Sequence, residues 1–203
     1  MSHKRKSNKR KKRSVKKRLL ILCEGETERN YFRAMREDVD FKQKMAATNI
    51  DIAKAKRSAP KQIVTEAITK NKEAKRENNA YDQVWLVFDH DNHANRQSAY
   101  DEALAEGFEV AFSSFCFENW YLLHFSKSAK AYTDAKVLEN ELKKHYPSYQ
   151  KAKQNDFENL KDKLDAAIIN GAWQRKRIEK GKHVTERNPW TDVDNLIEYL
   201  NTL

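Results

Sequence analysis

The sequence predicts an α/β fold in which a parallel sheet of about four strands is flanked by helices and followed by a helical C-terminal extension. Up to about residue 112, short apolar runs alternate with stretches whose apolar residues recur at helical spacing, a pattern typical of repeated strand–helix–strand units. The apolar runs are mostly continuous, as in parallel strands that are buried on both faces. Beyond Ser113 only the helical spacing continues.

The first strand is predicted at residues 18–23, an apolar run bounded by charged residues. It ends abruptly at Glu24 and Gly25, and the apolar residues that follow, as far as Met35, fall at helical spacing. The folded region therefore opens with a strand, a turn and a helix.

Three more strands and two helices complete the predicted sheet. Pro60 marks the first turn of one helix, and Gly107 follows the other, which is predicted to turn Leu104 inward. The three strands are predicted at residues 49–55, 84–88 and 108–112.

The C-terminal part is predicted to be helical at residues 117–125, 135–145, 157–180 and 192–203, with residues 151–156 as a candidate linker. Thr191 is placed as the N-cap of the last helix, with Asp194 at the reciprocal position of a capping box. We therefore expect a disordered basic tail (1–18), an α/β core (19–125) and a helical region packed on that core (126–203).

The positive charge is concentrated at the start of the chain. The net charge is +10, but residues 1–18 contain eleven Lys or Arg and no acid, so the remainder carries 29 basic and 30 acidic residues. Such a tail is expected to be disordered when free and attracted to polyanions. Two interpretations stay open, a nucleic-acid contact and a solvated tail without a specific partner. The candidate contacts are Lys11, Lys12, Arg13, Lys16, Lys17 and Arg18, with Arg175 and Arg177 in a second basic cluster.

Several classes of protein are disfavoured. Cys23 and Cys116 lie far apart inside apolar runs, which indicates buried, reduced thiols rather than a disulfide or a metal site. The longest apolar stretches are near five residues, far short of the roughly 20 needed to cross a bilayer. We therefore expect a cytoplasmic protein without a membrane partner.

Acidic residues follow two of the most apolar runs. Glu24 comes after the first predicted strand, and Asp89 and Asp91 come after the third. Ligands of open parallel sheets bind beyond the carboxyl ends of the strands, so these acids would meet if the two strands are neighbours. Clustered carboxylates favour Mg²⁺ or Mn²⁺, and Glu28, one helical turn beyond Glu24, could reach the same pocket.

A divalent cation in such a pocket would activate water and shield a phosphoryl oxygen, which is nuclease chemistry. Each acidic segment alone has another interpretation, because acids commonly begin helices and loops. Their joint occurrence after the first and third strands favours the metal site.

Four segments of the sequence together resemble the RloB family and, more broadly, the Toprim fold of topoisomerases, primases and nucleases of the OLD-like type. In order, they are Cys23-Glu24-Gly25-Glu26-Thr27-Glu28, Asp89-His90-Asp91, Phe117-Glu118-Asn119-Trp120-Tyr121-Leu122-Leu123-His124-Phe125, and Asn188-Pro189-Trp190-Thr191-Asp192-Val193. A Tyr-x-Lys segment at Tyr149 and Lys151 is also similar to the family.

The resemblance implies a metal-dependent Toprim-type nuclease acting in antiviral defence, often encoded beside an ATP-binding-cassette-like (ABC-like) ATPase. It implies Glu24 as general acid or base, and Asp89 and Asp91 as metal ligands with Glu28 as a further one. Three residues are possible auxiliaries, each with an ordinary structural alternative: Glu118, His124 and Lys151.

Two other functions stay open. One is a nucleic-acid-binding or adaptor subunit whose acidic pocket is inactive, and the other is a Toprim enzyme that makes or breaks nucleotide signals. The sequence leaves open whether the substrate is DNA or RNA, and which oligomeric state the protein adopts.

Overall fold

The computed structural model describes residues 16–89, 95–153, 155–178 and 181–203. Its strands form one sheet in which every pairing is parallel, as predicted. The strands are Lys17–Cys23 (β1), Thr48–Lys54 (β2), Gln83–Asp89 (β3) and Glu109–Ser113 (β4).

Helices connect the strands and make up most of the C-terminal region. None of those in the described residues is long and apolar enough to cross a membrane. The α-helices are Glu26–Glu37 (α1), Val39–Lys44 (α2), Pro60–Arg76 (α3), Arg96–Ala105 (α4), Glu118–Leu123 (α5), Ala135–His145 (α6), Asp156–Leu160 (α7), Leu164–Arg177 (α8) and Val193–Asn201 (α9).

The order of strands in the sheet is β2-β1-β3-β4. From β1 the chain adds β2 at one edge of the sheet, and from β3 it adds β4 at the opposite edge. The direction in which strands are added therefore reverses between β1 and β3. In parallel α/β sheets such a reversal opens a crevice at the carboxyl ends of the two central strands, where ligands bind. The fold therefore creates its most favourable ligand position beside Glu24 and Asp89.

The sheet is covered on both faces, which explains the continuous apolar runs. Leu19 and Ile21 belong to a core shared with α1 and the C-terminal helices. Leu20 and Leu22 point to the other face and pack with residues of α3 and α4. Alternate residues of one strand thus serve two cores, as the geometry of an extended chain requires.

The C-terminal region is fastened to the edge of the sheet beside β4. Thr191 pairs with Ser113 as an isolated antiparallel bridge, and their hydroxyls lie 2.9 Å apart. The fully buried carboxylate of Asp194 forms an ion pair with Arg175 of α8. A Cβ at position 171 would lie 2.9 Å from the Asp194 carboxyl carbon, so Gly171 leaves the room that this carboxylate needs.

Several boundaries differ from those predicted. β1 begins at Lys17, one residue before the predicted strand. Leu104 is 47% exposed rather than inward, because α4 turns the small Ala99 and Ala103 toward the sheet. The prediction of Thr191 as N-cap is also wrong, since the bridge to Ser113 holds it in the sheet and Asp192 takes the capping position.

The long helix predicted at residues 157–180 is divided. A turn of 3-10 helix at Lys161–Lys163 separates α7 from α8. The break is compatible with the apolar spacing because Leu160, Leu164 and Ala167 are buried in the same core on either side of it. Periodicity predicted the buried side but not the change in helix type.

Candidate functional site

The carboxyl ends of β1 and β3 bring two predicted acidic residues together. The carboxylate of Glu24 accepts a hydrogen bond of 3.0 Å from the backbone N–H of Asp89. The backbone N–H of Glu24 donates to the carbonyl of Val87 at 2.8 Å, which continues the pairing of the two strands. Glu24 is 7% exposed and Asp89 is half-buried. Their predicted meeting place is confirmed, whereas their chemical roles stay predictions.

Glu28 turns inward from the first turn of α1. Its carboxylate accepts a hydrogen bond of 3.0 Å from the backbone N–H of Gly25, so it caps its own helix. Burial, with a contribution from the negative charge of Glu118, raises the pKa of Glu28 to about 7. Glu28 and Glu118 therefore interact, although they come from opposite halves of the chain.

Glu118 is almost fully buried, at 1% exposure, and has two partners from the segment after α6. The hydroxyl of Tyr149 donates a hydrogen bond to its carboxylate, and the ammonium of Lys151 lies 3.5 Å from the same oxygen. Lys151 also pairs with Glu139 at 3.0 Å. Burial lowers the pKa of Lys151, but the charge of Glu118 and the hydrogen bond and charge of Glu139 together outweigh this effect, so the pKa is raised. Lys151, within the predicted linker, is thus paired with acidic residues of α5 and α6.

A buried thiol connects these groups. Cys116, Glu118 and Glu139 offer ligand atoms within 4.8 Å of one another. Burial, with the charges of Glu118 and Asp89, raises the pKa of the Cys116 thiol well above its usual value, so the thiol is neutral. Cys116 therefore lies near both Asp89, at the end of β3, and the group around Lys151. We refer to Glu24, Glu28, Asp89, Glu118 and Glu139 together as the carboxylate cluster.

His124 occupies the interior of the C-terminal region. It is 3% exposed, and its Nδ1 lies 3.1 Å from the carbonyl oxygen of Trp120. The imidazole ring also packs against the indole ring of Trp120. Burial lowers the pKa of His124 to about 4, so the imidazole is neutral near pH 7. These surroundings match the structural alternative for His124, and its auxiliary role stays a prediction.

A comparison of the whole chain with family models shows which family the protein belongs to. The model of the RloB-like proteins matches residues 19–200. The chain belongs to the RloB-like family. This match includes every member of the carboxylate cluster and all four strands except the first two residues of β1. Separate searches of curated proteins and of solved structures each found no match.

The described basic residues nearest the start of the chain, Lys16, Lys17 and Arg18, lie at the end of the sheet opposite to the carboxylate cluster of this RloB-like protein. Lys16 and Arg18 line a cavity of about 450 Å³ there. Arg18 pairs with Asp51 at 2.7 Å and stacks on Tyr81, so its guanidinium has internal partners. Lys17 is exposed. The predicted contacts Lys11, Lys12 and Arg13, together with the predicted metal ligand Asp91, lie outside the described residues.

The second basic cluster contains two differently placed arginines. Arg175 donates to the carbonyl of Thr191 at 3.0 Å and pairs with Asp194, so it fastens α8 to the start of α9. Arg177 lies at the surface, where its guanidinium stacks on the ring of Trp173 at 4.5 Å. Of the two, Arg177 has the more accessible charge for a nucleic acid.

Sequence reasoning missed two groups of residues beside the site. Glu139 lies in the middle of α6, where a carboxylate is usually a solvated surface group. Lys54, Lys56 and Arg57 border a cavity that Glu24 also lines. The sequence does indicate this second group, because its three basic residues fall within four positions at the end of the second strand.

Proposed function

We propose that this RloB-like protein hydrolyses phosphodiester bonds of nucleic acid as a divalent-metal-dependent nuclease of the Toprim type. The observation that carries the proposal is the hydrogen bond between the Glu24 carboxylate and the backbone of Asp89. It joins the two acidic strand ends at the point of the sheet where ligands of parallel α/β folds bind. A carboxylate pair in that crevice is suited to binding a cation and, through it, a phosphate.

The donor atoms fit Mg²⁺ or Mn²⁺, which prefer carboxylate oxygens and keep open positions for water and phosphate oxygens. Glu24 and Asp89 would hold the ion, with Asp91 and Glu28 as the further ligands implied by the family resemblance. Burial and the neighbouring Glu118 carboxylate raise the pKa of Glu28, and a bound cation would favour its charged form. When bound, a divalent ion supplies Lewis acidity toward water and shields negative charge on the phosphate.

The side chains around the ion would position the reacting groups. Glu24 is held by the backbone of Asp89 and would exchange a proton with the attacking water or the leaving oxygen as general acid or base. The Tyr149 hydroxyl fixes the Glu118 carboxylate, and Glu118 in turn holds Lys151. The Lys151 ammonium would then lie at the border of the cluster, where it can neutralise a substrate phosphate.

The family resemblance supplies the biological setting of the proposal. We place the activity in the cytoplasm, in antiviral or restriction-linked defence, with an ABC-like ATPase as a partner. The +10 net charge supports nucleic acid as the other partner, because it is concentrated in a tail that would release counterions on binding phosphates.

A second candidate is an inactive nucleic-acid-binding or adaptor subunit of such a complex. The contacts of Lys151 favour it, because its ammonium already compensates two members of the carboxylate cluster, Glu118 and Glu139, without any metal. The two candidates differ in whether Glu24 and Asp89 perform chemistry.

Cleavage assays with three variants separate them. Labelled single-stranded and duplex DNA and RNA are incubated with Mg²⁺ or Mn²⁺ and with wild type, Glu24→Gln, Asp89→Asn or the control Glu106→Gln, an exposed carboxylate after α4. We expect metal-dependent cleavage that falls by about 10²-fold or more in Glu24→Gln, as for loss of a proton-transferring group. Cleavage should also fall in Asp89→Asn, because a ligand of the metal is weakened, and should be unchanged in the control. Binding without cleavage by the wild type under all these conditions would favour the adaptor.

A further inference from the structure

The carboxyl edge of the sheet has a basic side next to its acidic centre. β2 lies beside β1, and Lys54 is in register with Cys23, the residue before Glu24. The backbone N–H of Ala55 donates to the carbonyl of Cys23 at 2.7 Å, so the chain leaving β2 stays attached to the end of β1. The loop between β2 and α3 therefore starts beside Glu24, on the side away from Asp89.

Two cavities follow this loop and share three of their lining residues. The first, of about 430 Å³, extends from Glu24 along residues 54–59 to Gln62. The second, of about 350 Å³, continues along α3 past Thr65 and Thr69. Because Lys56, Arg57 and Gln62 line both, the cavities form one continuous depression. We call this depression the α3 groove, and its lining residues are Glu24, Lys54, Ala55, Lys56, Arg57, Ser58, Ala59, Gln62, Thr65, Glu66 and Thr69.

The positive charges of the α3 groove are exposed, and the loop that carries them is fixed by its backbone. The backbone N–H of Lys56 donates to the Glu66 carboxylate at 2.8 Å. The side chains of Lys56 and Arg57 are exposed, and neither forms an ion pair with the described part of the chain. Lys54 is engaged differently, since its ammonium lies 3.3 Å from the Glu26 carboxylate. Lys56 and Arg57 are therefore the charges most accessible to an anion.

We propose that the α3 groove binds the phosphate backbone of one nucleic-acid strand and leads it to Glu24. The inference rests on the proposed function and adds the path of the substrate. An acidic centre repels a phosphodiester, so the flanking phosphates need cationic partners close by. Lys56 and Arg57 supply these partners, and the side-chain amide of Gln62 supplies a hydrogen-bond donor farther along.

The length of the groove distinguishes a strand from a single phosphate group. From Pro60 to Thr69, α3 rises by about 14 Å at 1.5 Å per residue. The phosphates of one strand rise by roughly 3.4 Å each along a duplex axis, so a groove of this length can contact more than one phosphate. A free nucleotide or an isolated phosphate would occupy only the part nearest to Lys56 and Arg57.

Binding is tested apart from cleavage by using the Glu24→Gln variant as the parent protein. Fluorescence anisotropy measures its affinity for labelled single-stranded and duplex oligonucleotides of 2 to 16 nucleotides over a range of salt concentrations. Lys56→Ala/Arg57→Ala is compared with Lys75→Ala/Arg76→Ala, which removes the same charges from exposed positions at the far end of α3. Both substitutions in the groove leave the backbone contact to Glu66 intact. Thermal unfolding of each variant checks that the fold is retained.

We expect the groove variant to weaken binding and to lower the slope of log K against log salt by about two for duplex, one for each phosphate that no longer has a cationic partner. The control variant is expected to match its parent. Affinity should rise with strand length up to the length that fills the groove, and inorganic tripolyphosphate should compete poorly with the longer strands.

Equal salt slopes for the groove and control variants would overturn the proposal while leaving cleavage by the carboxylate cluster intact. An affinity that is independent of strand length, with full displacement by tripolyphosphate, would overturn the strand assignment in favour of a site for one phosphate group. Absence of any nucleic-acid binding would overturn both this inference and the proposed function.

Discussion

The carboxylate of Glu24 and the backbone N–H of Asp89 are joined by a hydrogen bond of 3.0 Å, although 65 positions of sequence separate them. The bond depends on the side chain of Glu24 but only on the main chain of Asp89. Substituting Asp89 by Asn therefore removes a negative charge from the site without removing the donor that orients Glu24, which makes this variant a clean test of metal binding.

We expect Mn²⁺ to raise the melting temperature of the wild type and to have little effect on Asp89→Asn. A cation that binds only the folded state stabilises it by about 2.7 kcal/mol at a concentration 100 times its dissociation constant. Thermal unfolding with EDTA or with increasing Mn²⁺ measures the effect. Glu106→Gln is the control and should respond like the wild type, whereas an equal response of Asp89→Asn would remove Asp89 from the metal site.

Tyr149→Phe should destabilise the protein by about 1–3 kcal/mol, because it takes a hydrogen bond away from the buried carboxylate of Glu118. Urea unfolding measures the free energy. Tyr121→Phe is a matched control, since the hydroxyl of this buried tyrosine has no hydrogen-bond partner within the described residues. Similar destabilisation in the two variants would show that Glu118 does not depend on Tyr149.

Asp192 should make stability depend on pH. Burial raises its pKa from 3.8 to about 6, even though the Trp190 indole N–H donates to the carboxylate. The folded state therefore holds this proton more tightly than the unfolded state, so the contribution to stability is complete below about pH 4 and is lost as the pH rises through 6. A shift of this size corresponds to about 3 kcal/mol.

The comparison of wild type with Asp192→Asn isolates this contribution. Asn keeps an oxygen that can accept from Trp190 but cannot ionise, so the variant should gain stability relative to the wild type as the pH rises from 4 to 7. Urea unfolding at each pH provides the difference curve. A flat difference curve would mean that Asp192 titrates alike in the folded and unfolded states.

Arg175→Met should destabilise the protein by about 3 kcal/mol, because it leaves the fully buried carboxylate of Asp194 without its cation. Asp194→Asn in the same background should recover part of this stability, since the uncompensated charge is then gone. Chemical unfolding of the two single variants and the double variant forms a double-mutant cycle. Strictly additive effects would contradict the pairing.

Removing residues 1–15 should weaken nucleic-acid binding and flatten its salt dependence, because the deletion takes away eight basic residues. The deletion stops before Lys17 since β1 begins there, and a cut after residue 18 would also remove the ion pair between Arg18 and Asp51. Changing the eight basic residues to glutamine in the full chain is the matched control and should give the same salt slope. A slope equal to that of the wild type would rule out the tail as a phosphate contact.

The sequence by itself determined the class of fold and the acidic centre. Continuous apolar runs require strands that are buried on both faces, and helical spacing between them requires parallel connections. The acids after the first and third runs were therefore assigned to the carboxyl edge of the sheet before any strand order was known. The structure confirms the fold class and the positions of Glu24 and Asp89, because these inferences depend on a periodicity that neighbouring residues show.

The tertiary structure alone decided which distant groups meet. It set β1 beside β3, brought Lys151 to Glu118 and Glu139, turned Arg175 toward Asp194, and placed Lys56 and Arg57 at the side of Glu24. The physical reason is that a charged side chain looks alike in sequence whether it is solvated or paired. Which partner it has depends on how helices and strands that are tens of residues apart in sequence pack together. Only this packing brings the charged side chains close enough to form a site.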